Sequence, residues 1–216
     1  MRPQVVSVGP LATADADGIC ASQTPAAAGA WLLNGALVVA GVAVLDVPRR
    51  VRITTGGSES GKSAIITGTS FNNQAASETV ALPSSATTVD SVLDYKTVTS
   101  IVGSATITNA LTVGTNGVAG SAWMFFDTWV TGGIAIQCNA SGTVNYTVQS
   151  TLDDPNSPTN PVGASSVTWL PTSDTAAVGA TGGVQTNFFF QPAYSRVLLN
   201  SGTGTVTTTY DQIGSP

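Results

Sequence analysis

Apolar and polar residues alternate in short runs through most of this chain, and glycine, proline or asparagine separates the runs. Ile134, Ile136 and Cys138 alternate with Ala135 and Gln137, and Val144, Tyr146 and Val148 alternate with Asn145, Thr147 and Gln149. A period of two puts one set of side chains on a buried face and the other in water, which predicts half-buried strands. Further strands are predicted over Val51–Thr54, Ala64–Thr67, Glu78–Leu82, Tyr95–Ile101, Ala105–Thr108 and Leu111–Val113. No long 3.6-residue period appears, so helix is expected to be scarce. Short strands at this spacing predict an all-β fold of two small sandwich- or barrel-like domains.

The pattern also divides the chain. The first 25 residues or so carry Pro3, Pro10 and Pro25 among many alanines and read as an extended N-terminal arm. Two apolar runs then flank Asn34-Gly35, the dipeptide that most strongly signals a tight hairpin, between Trp31 and Leu45. Gly114-Thr115-Asn116-Gly117 reads as a linker, after which Trp123, Phe125, Phe126 and Trp129 concentrate aromatic residues. The expected organisation is therefore an arm and hairpin over 1–45, a first β-domain over 46–117 and a second over 118–216. Within the second, Val197–Val206 echoes Ile134–Val144: an apolar strand, a polar glycine turn, then a threonine-valine strand. Two similar hairpins in one sheet system are expected.

Composition narrows the function. The 216 residues include no histidine, and only 9% are charged, against about 25% in an ordinary soluble domain. The usual proton shuttle of enzymes is missing, and threonine, serine, glycine, valine and alanine fill the chain instead. Such a composition suits surfaces and interfaces, because neutral polar groups satisfy hydrogen bonds without the desolvation cost of charge. A net charge of −5 argues against a nucleic-acid partner held through its phosphates. Arg49, Arg50 and Arg52 stand together, and a solvated strand end is the expected role, with contact to a partner carboxylate as the alternative. Cys20 and Cys138 are too few for a disulfide framework or a zinc site and are expected to be free thiols. From Gly18 to Leu45 no residue is charged, a length that would span a membrane. The glycines at 29, 35 and 41 and the missing flanking belts argue against a span, and Asp15 and Asp17 argue against a signal peptide.

Several motifs imitate chemistry. Gly56-Gly57-Ser58-Glu59-Ser60-Gly61-Lys62-Ser63 matches the phosphate-binding P-loop pattern in full. That loop works only between a strand and a helix, whose N-terminal amides face the phosphates. Here Ala64–Thr69 is β-branched and broken by Gly68, so a glycine-serine turn with an exposed Lys62 is expected. Asp127, after an apolar run, mimics a magnesium-binding aspartate without the alternating strand–helix units that would place it. Asn139-Ala140-Ser141 and Asn145-Tyr146-Thr147 match the glycosylation acceptor pattern, which a serine- and threonine-rich chain produces by chance. Asp153-Asp154 lacks the alternating ligands of a calcium loop and reads as a turn. No catalytic, cofactor-binding or metal-binding residue is expected.

One resemblance remains. Thr24–Gly29, Leu33–Ala36, Pro48–Val51, Ile66–Thr69, Ser77–Val80, Lys96–Ile101, Thr112–Thr115, Ser141–Gln149 and Asp153–Pro155, read in order, resemble virion structural proteins of tailed bacteriophages. The likeness is to the small β-rich kind found as head decoration (cement) proteins. It implies a non-enzymatic protein on the outer capsid surface, made in the host cytoplasm. Its partners would be the major capsid protein and further copies of itself, a trimer being the first expectation, with no nucleic acid and no membrane. The alternative readings are a neck, tail or fibre component and, from a different class, a nucleotide-using enzyme. On the favoured reading the arm, Arg2 to Ala28, is expected to order against a neighbour.

Overall fold

Alternation, glycine turns and β-branched residues produce the fold they predict. A computed structural model describes residues 3–127 and 132–212; Arg2, Trp129 and the last four residues lie outside the described residues. The chain is all-β and antiparallel, and its sheets do not close into a barrel. The only helical segments among the described residues are three single 3-10 turns, Phe71–Asn73, Ala164–Ser166 and Thr175–Ala177. The stretch from Gly18 to Leu45 holds short strands and turns, and no described helix is long and apolar enough to cross a membrane.

Two compact units form, one from residues 12–117 and one from residues 1–11 with 118–216. In the first of these, the strand Thr88–Gly103 is central. It pairs with Val42–Thr55 on one side and with Ser63–Thr69 on the other, and Ala75–Ala81 adds an outer strand. Val51, Ile53, Ala64, Ile66, Val98 and Ile101 point inward and meet Ile19, Trp31, Leu111 and Val113 in one core. Glycine is required where Trp31 crosses this sheet, because a β-carbon on Gly103 would stand 2.4 Å from the indole nitrogen.

In the second unit, Gln4–Val8, Thr205–Gln212, Ile134–Ser141 and Val184–Phe188 form a four-stranded sheet in that order. Val144–Thr151 and Tyr194–Gly202 pair in another. The two echoing segments are therefore not hairpins. Ile134–Ser141 pairs with Thr205–Gln212, and Val144–Thr151 with Tyr194–Gly202, so each glycine turn carries the chain from one sheet to the other. The two turns are in contact: Gly204 N–H donates to the Thr143 carbonyl at 2.9 Å. A hairpin would need each strand to bond its own neighbour, and here each strand finds its closest partner in the other repeat.

Three local expectations change. The tight hairpin lies at Ala40-Gly41, both at positive φ, where Val38–Val39 pairs with Val42–Ala43. Gly35 serves close approach instead, since a β-carbon there would stand 2.2 Å from the Gly18 backbone. Gly114–Gly117 is no linker but part of the strand Leu111–Gly120, with Gly114 admitting the Asp15 carbonyl. Ala105–Thr108 forms no strand; Ile107 N–H donates to Pro25 and Thr108 N–H to Glu59.

The N-terminal stretch keeps an extended backbone but is built into the chain's own fold. Gln4–Val8 pairs with Val206–Tyr210 and buries Val6 and Val8, while Ile19 and Cys20 belong to the core of the unit 12–117. Backbone groups of a short apolar segment gain ladder hydrogen bonds at a sheet edge, and a sheet edge of the same chain lies within reach.

Candidate functional site

The P-loop lookalike is a structural clamp. Thr55 ends one strand, Gly61 turns the chain at φ 76°, and Ser63 begins the next strand, so no helix follows. Four of the loop's backbone amides already have acceptors: Gly56 donates to Ala110, Glu59 to Pro83, Lys62 to Glu59 and Ser63 to Ser104 Oγ. Lys62 is not the exposed lysine expected of this turn. Its ammonium donates to Glu59 Oε2 and, at 2.9 Å, to Thr108 Oγ1.

Glu59 is the residue that sequence reasoning missed. Its carboxylate is inaccessible to water and accepts hydrogen bonds from the backbone amides of Thr108 and Asn109, the Asn109 side chain and Lys62. Burial pushes its pKa up, but Lys62, Asn109 and Thr108 outweigh burial and hold it down at about 2. No local pattern announces this site, because all its donors except Lys62 come from about fifty positions away.

The arginine cluster is paired within the fold, with Arg49 buried and Arg50 and Arg52 partly exposed. Period-two alternation puts Arg49 on the inner side of its strand, in line with Ala43, Leu45, Val51 and Ile53. With 2% of its surface exposed, it donates to the Ala12 and Asn116 carbonyls and to Asp46. Arg52 faces Asp90 across the sheet and binds it through two bonds of 2.7 and 2.8 Å, and Arg50 faces Asp94 at 3.6 Å. The Arg52 hydrogen bond, with help from Asn116 and Arg50, holds the Asp90 carboxyl below its ordinary range.

The remaining described cations follow suit. Lys96 donates to the carbonyls of Leu45 and Asp46. Arg196 donates to Gln149 and stacks 4.5 Å over the Trp169 ring. Every described lysine and arginine is thus tied to a partner inside the fold.

Other sequence features settle as structure. Asp153 accepts from the Thr168 amide and Asp154 from the Asn156 amide, fastening their own loop. Asn145 is held between Gly179 and Asn200, whereas Asn139 is exposed. Asp127 bonds with Gln212 through its backbone. Cys20 and Cys138 are buried thiols, and burial pushes Cys20 up to about 12. Among the described residues no group of three or more acidic, cysteine or histidine side chains is gathered to hold a metal.

What the unit built around the four-stranded sheet leaves open is of two kinds. Leu152, Leu170 and Phe190 are exposed around an apolar depression of about 240 Å3, and Phe189 beside them is 87% exposed. On the outer face of the sheet a wider groove of about 690 Å3 is lined mainly by polar side chains, Asp174 and Asp211 among them. No protein family and no curated protein matches this chain.

Proposed function

We propose that this is a non-enzymatic structural protein of a tailed-bacteriophage virion, acting as a head decoration protein that binds and stabilises the lattice of the major capsid protein. The observation that carries the reading is the engagement of every described cation within the fold. Among the described residues no basic group is left to offer a phosphate, which favours contacts through neutral polar and apolar surface. The exposed Leu152, Leu170, Phe189 and Phe190 supply an apolar patch of the kind that marks interaction sites. Broad neutral contact repeated over many copies suits a lattice, where weak single contacts gain from avidity, and self-association in a small ring extends the same gain.

The reading is tested by counting copies in purified virions by quantitative mass spectrometry. A ratio to the major capsid protein typical of a shell component supports decoration. A few copies per particle moves the protein to the neck, tail or fibre, and absence from particles overturns the proposal. Recombinant protein added to decoration-free capsids should saturate them, and replacing Phe189 and Phe190 by serine should reduce that occupancy.

A further inference from the structure

The groove on the outer face of the four-stranded sheet has a defined construction. Cross-strand register sets Thr209, Gln137 and Gln185 in one row, and Asp211, Ala135 and Asn187 in the next. Opposed side chains on neighbouring strands stand about 5 Å apart, so each row spans about 10 Å. Ala135 ends at its β-carbon, so the second row is a notch with a methyl floor between an amide and a carboxylate. Pro3 and Asp174 close the ends of the groove, whose volume of about 690 Å3 suits a small ligand.

The chemistry of the lining selects the ligand. No side-chain hydrogen bond among the described residues engages Gln185, Asn187, Thr209 or Asp211, although polar side chains elsewhere in this fold are widely paired. Amides donate and accept, threonine does both, and the two carboxylates accept. Among the described residues no cation lines the groove and two carboxylates, Asp174 and Asp211, do, so an anionic ligand meets repulsion without a described counter-charge. Apolar surface from Pro3, Ala135, Ile136 and the aliphatic parts of the polar side chains is interspersed with polar groups, which suits a ligand that offers one C–H face beside its own polar groups. A ring carrying adjacent hydroxyl groups fits all three conditions.

We propose that this groove binds a neutral saccharide, its hydroxyl groups held by Gln137, Gln185, Asn187, Thr209 and Asp211 and its ring seated over Ala135. Such binding goes beyond the virion reading and does not depend on it. On a particle it would give many weak contacts to a glycan-bearing surface.

The test is the full chain against an array of neutral, sialylated and sulfated oligosaccharides, followed by calorimetric titration of the best neutral binder. Ala135→Phe should fill the notch and Asn187→Ala should remove one wall, each weakening binding by about tenfold or more, the scale of one or two lost hydrogen bonds. Thr207→Ala, on the same face outside the groove, should leave affinity unchanged. All three positions lie on the outer face, and unchanged urea midpoints would verify that the variants fold. No neutral glycan bound, a preference for anionic glycans, or full affinity in Ala135→Phe overturns the proposal. Loss of capsid occupancy in Ala135→Phe without any glycan binding would make the groove a protein contact and equally overturn it.

Discussion

Lys62 is the counter-ion of Glu59, an inaccessible carboxylate three residues earlier in the same turn. Removing the ammonium leaves the carboxylate with amide donors alone. Lys62→Ala should therefore destabilise the fold by about 1–3 kcal/mol, the range for a charge-assisted hydrogen bond to a buried partner. Urea denaturation checks this. A change within about 0.5 kcal/mol would mean an ordinary surface lysine.

Acid should weaken the protein over a defined range. Glu59 sits at about 2 in the fold, against an ordinary value of 4.5. A depressed carboxylate contributes stability that is fully present above its unfolded value and is lost as pH falls toward its folded one. The urea midpoint should hold steady from about pH 7 to about pH 5 and then decline below about 4.5. Asp46 and Asp90, also lowered, act in the same direction. A midpoint unchanged at about pH 3 would contradict the assignment.

Arg49→Lys should cost about 2–4 kcal/mol despite keeping the charge. The planar guanidinium reaches the Ala12 and Asn116 carbonyls and Asp46 at once, and a single ammonium cannot span those three directions. Arg52→Lys, at a more exposed pair, should cost less. Equal effects of the two substitutions in urea denaturation would show that burial of Arg49 does not matter.

Gly204→Ala should destabilise by about 1–3 kcal/mol through overpacking. A β-carbon at this position would stand 2.2 Å from the Ser141 carbonyl oxygen and 2.8 Å from Val144 Cγ1. Thr203→Ala, at its exposed neighbour, should be close to neutral. Thermal unfolding of the two variants separates a requirement for glycine from a general sensitivity of the turn.

The sequence by itself determined the all-β class, the scarcity of helix and most of the strands, because period-two alternation and β-branched residues report local backbone preference. It also marked the second unit's repeat at Ile134 and Val197, since like segments read alike. What it left undecided were choices of partner. The glycine turns after Ser141 and Gly202 look like hairpin turns locally, and only the packing of both repeats makes each a crossing between sheets. Asn34-Gly35 carries a hairpin signal, yet Gly35 is used for close backbone approach and the turn forms at Ala40-Gly41.

Charge followed the same rule. Arg49, Arg50 and Arg52 look like a basic spot, but Asp46 on the same strand and Asp90 and Asp94 on the neighbouring one pair with them, and Arg49 is buried. The groove around Ala135 was illegible for the same reason: its rows join strands separated by tens of residues, and a one-residue change of register would have replaced every side chain in them. Local preference is written in neighbouring residues, whereas the identity of a cross-strand partner is fixed only when distant strands bury a common core.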